Sequence, residues 1–232
     1  MFPALLIVAA LAGQAAPVDQ AAPTPISIPM ADGRGPIAAD VYGSGDRAVL
    51  LLHGGRRNKS HWKPQAEVLA RAGFRVMAID FRAWATPAGN GDGGCGYDAA
   101  CLAKDVLAAV RYLRDSGAKT VSLVGGSLGG GAAAQASFEA LSGDIDRIAL
   151  LAPMAIDHPE RVSTRMLVIV ARDDASGSGP RLPEVRAQYE RATGPKELVV
   201  VDGSAHAQFL FETPQGPAVL DRIVRFLDPL PR

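Results

Sequence analysis

The sequence predicts one α/β domain, built on a doubly wound, mostly parallel eight-stranded sheet with helices on both faces. Two observations lead to this fold class. Short apolar runs alternate with longer amphipathic runs along most of the 232 residues, an order typical of βαβ units. Most of the short runs are apolar at nearly every position, as expected for strands buried on both faces of a parallel sheet.

The predicted elements follow one another with short connections. An antiparallel hairpin at the edge of the sheet is predicted from ISIPM (26–30) and IAADVY (37–42), which the turn-forming run ADGRGP joins. The other strands are predicted as AVLLLH (48–53), RVMAID (75–80), TVSLVG (120–125), RIALLAP (147–153), RMLVIVA (165–171) and ELVVVD (197–202). The helices are predicted as HWKPQAEVLARAG (61–73), LAKDVLAAVRYLRDSG (102–117), LGGGAAAQASFEAL (128–141), LPEVRAQYERAT (182–193) and AVLDRIVRFL (218–227).

The composition excludes several classes of protein. Apolar residues make up 48% of the chain and charged residues 21%, which is incompatible with a disordered tail or a coiled coil. The 24 Lys and Arg residues balance the 24 Asp and Glu residues, so no basic field is available to bind a nucleic acid. A small molecule is therefore the expected partner.

The N-terminus predicts export. The run ALLIVAALA (4–12) is far shorter than the roughly 20 apolar residues that span a bilayer, and small residues follow it, as in a signal peptide. We expect a leader over residues 1–16, an extended Pro- and Ala-rich linker over 17–25 and a single domain over 26–232. Once the leader is removed, we expect an exported protein, periplasmic or secreted, with no membrane attachment.

The cysteine content fits this compartment. Cys95 and Cys101 are separated by five residues in a glycine-rich stretch, where an oxidising environment would allow a disulfide. A metal site would need two further ligands that the neighbouring sequence does not supply. The alternative is a pair of free thiols in a loop and at a helix start.

The chemistry is predicted at Gly125-Gly126-Ser127-Leu128-Gly129, a G-x-S-x-G motif between a predicted strand and a helix. In that context the motif holds a serine hydroxyl at the top of the sheet, so Ser127 is the candidate nucleophile. The alternative is a small-residue helix start that only allows close packing. The G-x-G-x-x-A pattern that begins at Gly129 could also indicate a dinucleotide-binding site. That interpretation is rejected because its glycines must lie in the turn before a helix, and here they lie inside the predicted helix.

The order of the elements and this motif resemble the α/β-hydrolase superfamily, in particular its small, lidless members similar to dienelactone hydrolase. The resemblance covers nearly all of the chain after the leader. It implies an acid after the second strand beyond the nucleophile strand, and a histidine after the last strand. Asp174 and His206 occupy these positions, with the neighbouring Asp173 as the alternative acid.

The resemblance also implies an oxyanion hole. One donor is the backbone N–H of Leu128, directly after the nucleophile. The second is expected in the segment His53-Gly54-Gly55-Arg56, where Gly55 is the first choice and Arg56 the alternative. His53 is expected to fix this loop and not to act in catalysis.

The connection where this superfamily inserts its lids is short: residues 153–164, twelve in all, join two predicted strands. We therefore expect an open site for small soluble substrates. The predicted function is a serine hydrolase that cleaves a small carboxylic ester or thioester, with no metal or organic cofactor. The alternatives are a peptidase or acyltransferase on the same scaffold, or a non-catalytic binding protein.

Overall fold

An eight-stranded sheet forms the centre of the structure, a computed structural model that describes residues 22–30, 32, 35–84 and 95–228. Its strands are β1 (Thr24–Ile28), β2 (Ile37–Tyr42), β3 (Arg47–Leu52), β4 (Arg75–Ile79), β5 (Thr120–Gly126), β6 (Arg147–Leu151), β7 (Arg165–Ala171) and β10 (Lys196–Val201). Their order across the sheet is β1-β2-β4-β3-β5-β6-β7-β10.

The strand directions confirm the predicted architecture. The pairs β1–β2 and β2–β4 are antiparallel, and all other neighbouring pairs are parallel. All eight predicted strands are present, with ends shifted by at most two residues. The largest difference is in β1, predicted over residues 26–30, because the strand ends at Ile28, before Pro29, which has no N–H to contribute to the ladder.

In the described part of the chain, five α-helices cover the two faces of the sheet, as predicted. They are α1 (Lys63–Arg71), α2 (Ala99–Asp115), α3 (Leu128–Glu139), α4 (Arg181–Arg191) and α5 (Gly216–Leu227). Helix α2 begins three residues earlier than predicted because the side chain of Asp98 accepts hydrogen bonds from the N–H groups of Ala100 and Cys101. None of the described helices has the length and hydropathy needed to cross a bilayer.

The connection between β6 and β7 is short. Over residues 152–164 its only regular structure is a turn of 3₁₀-helix at Pro159–Arg161, so no lid domain is present there. A small hairpin that the sequence analysis did not predict follows β7 instead. It consists of β8 (Ala175–Ser176) and β9 (Gly179–Pro180).

The predicted leader, residues 1–16, and most of the predicted linker, 17–25, lie outside the described residues. The last two linker residues belong to β1. The predicted domain from residue 26 onward contains the rest of the sheet and the five helices of the described residues.

A buried arginine ties the edge hairpin to α2. Arg82 is 7% exposed and follows β4. Its guanidinium donates hydrogen bonds to Asp105 of α2, which is 1% exposed, and to Asp32 in the connection between β1 and β2. Burial alone would lower the pKa of Arg82, but the bonds to the two carboxylates outweigh burial and raise it. The arginine is therefore charged and fully paired inside the protein.

A buried histidine fixes the loop after β3. His53 is fully buried, and its Nε2 accepts a hydrogen bond of 3.1 Å from the backbone N–H of Phe81. Nδ1 lies 2.8 Å from the carbonyl oxygen of Gly54, so Nδ1 carries the proton and donates. Burial lowers the pKa of His53, which keeps the ring neutral. This geometry agrees with the expected role of His53 in the loop.

We expect the free energy of unfolding to decrease as the pH falls below about 6.5, the ordinary pKa of histidine. The unfolded chain then binds a proton that the buried His53 does not accept, so stability is retained above this pH and lost below it. One such group contributes at most about 1.4 kcal/mol per pH unit. Urea unfolding between about pH 5 and pH 8 measures the dependence.

The variant His53→Gln cannot take up this proton and should show a flatter pH dependence between about pH 6.5 and pH 5. His158→Gln is the matched control, because the side chain of His158 is 57% exposed and its ion pair with the exposed Glu160 is of the kind that contributes little to stability. The control should keep the wild-type slope. Equal slopes for the wild type and His53→Gln would show that His53 does not carry the effect.

Candidate active site

The predicted nucleophile lies in a strained turn between β5 and α3. Ser127 has φ 51° and ψ −112°, a left-handed conformation that is costly for a residue with a side chain. Its backbone N–H donates to the carbonyl oxygen of Leu151 at the end of β6 (2.9 Å). Its own carbonyl oxygen accepts bonds from Gly130, Gly131 and Met154. These bonds hold the serine between the strand and the helix.

The glycines of the motif are required by close packing. A Cβ on Gly125 would overlap the carbonyl oxygen of Gly129. A Cβ on Gly129 would overlap the carbonyl oxygen of Leu52, the last residue of β3. Helix α3 therefore starts against the ends of two strands, and a side chain at either position would push it away.

The structure brings the three predicted triad residues into one hydrogen-bonded line. His206 lies after β10, and its Nε2 is 2.9 Å from the hydroxyl oxygen of Ser127. Its Nδ1 is 2.7 Å from Oδ2 of Asp174, three residues after the end of β7. A carboxylate can only accept, so Nδ1 carries the proton and Nε2 is left to accept the serine O–H. This is the protonation state that a histidine needs to act as a general base.

Of the two candidate acids, only Asp174 contacts the histidine. Asp174 is 1% exposed, whereas Asp173 is exposed and its backbone N–H donates to Gly203. Oδ1 of Asp174 lies 3.7 Å from Nε of Arg181, the first residue of α4, in a long ion pair. The backbone N–H of Arg181 also donates to the carbonyl oxygen of Asp174, which closes the β8–β9 hairpin.

The predicted oxyanion donors lie in two segments next to the serine, the start of α3 and the loop after β3. Leu128 begins α3, where the first N–H groups have no partner within the helix. Gly55 follows Gly54, at which a Cβ would be 3.6 Å from Cβ of Ser127, so this loop packs against the nucleophile turn. Among the described residues, the N–H groups of Leu128 and Gly55 have no hydrogen-bond acceptor. Both are free to bind an oxyanion.

The orientation of the Gly55 N–H is fixed by a hydrogen bond to the carbonyl oxygen of the same peptide group. The carbonyl group of Gly54 and the N–H of Gly55 belong to one planar trans peptide and point in opposite directions. Since His53 donates to that carbonyl oxygen, it also fixes the direction of the Gly55 amide. Arg56, the alternative donor, has φ 59° in the turn that follows.

Backbone strain is concentrated at this edge of the sheet. In the described part of the chain, the non-glycine residues with positive φ are Arg56, Ser127, Ala152 and Ala207. They follow β3, β5, β6 and the predicted catalytic histidine. Each costs of order 1–3 kcal/mol, and such conformations cluster at functional sites. The distribution supports placing the active site here.

The two predicted disulfide cysteines are joined. Cys95 and Cys101 form a disulfide with a Cα–Cα distance of 5.5 Å, at the start of α2. Within the described ranges, no group of three or more His, Cys, Asp or Glu side chains is arranged to bind a metal ion.

The sequence analysis missed Gln208, a buried residue at this site. Its Oε1 accepts a 2.9 Å hydrogen bond from the backbone N–H of Gly54. The available signal was a single amide side chain within the otherwise apolar run Ala-Gln-Phe-Leu-Phe that follows His206.

Comparisons with known proteins agree with this geometry. A family model described as the alpha/beta hydrolase family matches residues 49–174, more than half of the chain. The match runs from β3 to the predicted catalytic acid. It therefore includes the predicted oxyanion loop and the nucleophile turn.

Two curated relatives match over part of their own length. "Putative carbamate hydrolase RutD" of Variovorax paradoxus is 30% identical over 165 residues, which are 71% of this chain and 53% of the relative. The dihydrolipoyllysine-residue acetyltransferase component of the acetoin cleaving system of Cupriavidus necator is 30% identical over 162 residues, 69% of this chain and 37% of the relative. This chain thus spans about half the length of the first relative and less of the second.

Solved structures share the fold over most of the chain. The dienelactone hydrolase of Anabaena variabilis superimposes with a TM-score of 0.71 and 22% identity, covering 88% of this chain and 96% of that one. An esterase of Pyrococcus furiosus superimposes with a TM-score of 0.69 and 20% identity, covering 88% and 91%. These likenesses show the fold, and the family match over more than half of the chain shows that it belongs to the alpha/beta hydrolase family.

Proposed function

We propose that the protein is a serine hydrolase that cleaves a small carboxylic ester or thioester through an acyl-enzyme on Ser127. The observation that carries this proposal is the hydrogen-bonded line from Ser127 through His206 to Asp174. Each residue comes from a different loop at the carboxyl edge of the sheet. A structural role alone would not explain a strained serine aimed at a histidine that is itself held by a buried carboxylate.

In the first half of the reaction, Oγ of Ser127 attacks the carbonyl carbon while Nε2 of His206 takes its proton. Asp174 holds the imidazole in position and stabilises the positive charge that forms on it. The backbone N–H groups of Leu128 and Gly55 stabilise the oxyanion of the tetrahedral intermediate. When the intermediate collapses, His206 gives the proton to the leaving alcohol or thiol, and the acyl group stays on the serine.

In the second half, His206 takes a proton from water, and the resulting hydroxide attacks the acyl-enzyme. The same N–H groups stabilise the second oxyanion. Collapse releases the carboxylic acid, and the proton returns from Nε2 to Oγ of Ser127. The balance is one water consumed for each ester or thioester bond cleaved.

The proposed substrate class is supported by the short connection between β6 and β7. Residues 152–164 form only a short connection between β6 and β7, so no lid from this segment covers the site. A site without a lid does not need a lipid surface to open it. This supports small soluble substrates over water-insoluble lipids.

The triad assignment predicts large losses of activity. Ser127→Ala and His206→Ala should each lower kcat by roughly 10⁴- to 10⁶-fold, and the double variant should lose little more because the residues act as one unit. Steady-state hydrolysis of a p-nitrophenyl ester measures these losses. A fluorophosphonate probe should label the wild type at Ser127 and leave Ser127→Ala unlabelled. Absence of label on folded wild-type protein would rule out an activated serine.

The two adjacent aspartates provide a matched pair of variants. Asp174→Asn should lower kcat by roughly 10³- to 10⁴-fold, because an amide favours the wrong histidine tautomer. Asp173→Asn changes the exposed neighbour and should cost less than about tenfold. The opposite order would transfer the role of the acid to Asp173.

A substrate panel tests the proposed chemistry. With p-nitrophenyl esters from acetyl to palmitoyl, we expect the highest kcat/KM for short acyl chains and no increase in rate when the substrate forms micelles. A thioester, an aminoacyl amide and an aryl carbamate should be included in the panel. Interfacial activation would contradict the lidless site, and preferential cleavage of the amide would indicate a peptidase.

We further propose that the protein is exported, and the Cys95–Cys101 disulfide supports this. In the native protein isolated without reductant, both cysteines should resist alkylation until a reductant is added. Intact-mass measurement should show a chain that begins close to residue 17. Free thiols on a chain that retains Met1 would contradict both export and the leader.

A further inference from the structure

Gln208 connects two loops of the active site. Its side chain is 4% exposed, and its Oε1 accepts a hydrogen bond of 2.9 Å from the backbone N–H of Gly54. Gln208 is two residues after His206, and Gly54 is directly before Gly55. A single buried amide thus links the loop that carries the proposed general base to the loop that carries a proposed oxyanion donor.

The same side chain packs against the nucleophile turn. A Cβ on Gly126, directly before Ser127, would lie 3.1 Å from Cγ of Gln208 and 3.4 Å from its Oε1. The preceding residue, Ala207, has φ 50°, so the chain turns sharply between His206 and Gln208. Because of this turn, the imidazole of His206 reaches Ser127, while the side chain of Gln208 lies against Gly126.

One half of this amide has no partner. Nε2 of Gln208 is buried and finds no hydrogen-bond acceptor among the described residues. A buried donor without a partner has lost its hydrogen bonds to water and gained none in return, and such groups in native proteins call for an explanation.

A second buried glutamine shows the contrast. Gln188 of α4 is 9% exposed, and its Oε1 accepts a backbone N–H from Ile156 at 3.0 Å. Its Nε2 donates to Glu184 at 3.3 Å, so both ends of that amide are paired. Gln188 has the bonding expected of a structural residue, whereas one end of the Gln208 amide is buried without a hydrogen-bond partner among the described residues.

We propose that Gln208 is a positioning residue that holds the oxyanion loop in its reactive conformation, an inference that rests on the proposed function. Two successive peptide planes lead to the Gly55 amide. Gln208 holds the first through the N–H of Gly54, and His53 holds the second through the carbonyl of Gly54. With both planes fixed, the Gly55 N–H points in one direction before substrate binds, as an oxyanion donor must.

The test replaces the amide with an apolar side chain of similar length. In Gln208→Met, the N–H of Gly54 loses its acceptor and the loop can rotate. We expect kcat to fall by about 10- to 100-fold, less than the roughly 10²- to 10³-fold loss of an entire oxyanion donor. KM should change by less than about threefold, because the bond acts on the transition state. The inhibition constant of a trifluoromethyl ketone, whose adduct carries an oxyanion, should rise by the same factor as kcat/KM falls.

Gln188→Met is the matched control. This variant also removes a buried acceptor from a backbone N–H, that of Ile156. Because Gln188 lies on α4 and its hydrogen bonds go to Ile156 and Glu184 and not to the oxyanion loop, we expect kcat and the inhibition constant to stay within about twofold of the wild type. Equal losses in both variants would show a general structural effect and overturn the proposal. So would a folded Gln208→Met protein with wild-type kcat.

Gln208→Glu keeps an oxygen for the Gly54 N–H and serves if Gln208→Met does not fold. A protonated glutamic acid can replace the amide, whereas the ionised side chain places an anion beside the oxyanion loop. The ratio of its kcat to that of the wild type should therefore decrease as the pH rises. Because a carboxyl oxygen accepts the Gly54 N–H in either protonation state, exchange of the Gly54 amide with solvent should stay as slow as in the wild type, and faster exchange would contradict the proposal.

A measurement that needs no catalysis separates this inference from the proposed function. Hydrogen exchange of the Gly54 amide, followed by NMR in a Ser127→Ala background, should be at least about tenfold faster with Gln208→Met and unchanged with Gln188→Met. Unchanged exchange in Gln208→Met would overturn the positioning role, whatever the activity. Full activity in Ser127→Ala would overturn the proposed function, and the exchange rates would still decide the role of Gln208.

Discussion

The site depends on how closely helix α3 approaches the ends of β3 and β5. No Cβ fits at Gly125 or Gly129, because the space is filled by the carbonyl groups of the packed backbone. This contact forces the left-handed conformation of Ser127 and places its hydroxyl above the sheet. It also leaves the Leu128 N–H at the start of a helix, where no backbone acceptor reaches it. The positions of the proposed nucleophile and of one proposed oxyanion donor thus follow from one steric constraint.

The other site residues reach this turn because they follow parallel strands that end at the same edge. Asp174 comes after β7, and the chain after β10 brings His206 to the serine. The strained residues at this edge are held by strands that are almost completely buried in the middle of the sheet. A rigid sheet can hold unfavourable backbone conformations at its loops, where the reacting groups must already be in place before substrate arrives.

The sequence predicted the sheet well for a physical reason. Strands such as β7, Arg165–Ala171, are apolar at almost every position, and polar or glycine residues mark their ends. The β8–β9 hairpin was missed because two-residue strands have no periodicity, although Ser176-Gly177-Ser178-Gly179 is a turn-forming run.

The site was predicted in part. The motif and the order of the elements led to Ser127, Asp174 and His206, although the sequence left Asp173 open because both aspartates follow β7. The structure distinguishes them, since Asp173 is exposed in the turn after β7, whereas Asp174 is buried and its carboxylate meets the imidazole. Gln208 could not be found in this way. Its bond to Gly54 joins residues 154 positions apart, and no local pattern signals such a contact.

The buried Arg82 has a consequence for how this domain can be divided or rebuilt. Its two carboxylate partners come from different parts of the chain, Asp32 beside the edge hairpin and Asp105 in α2. A shortened protein that starts at β3 would lose Asp32 and keep the cation in the interior with one counter-charge. The edge hairpin is therefore an integral part of the domain, and a circular permutant or split version must keep both strands on the fragment that contains the arginine.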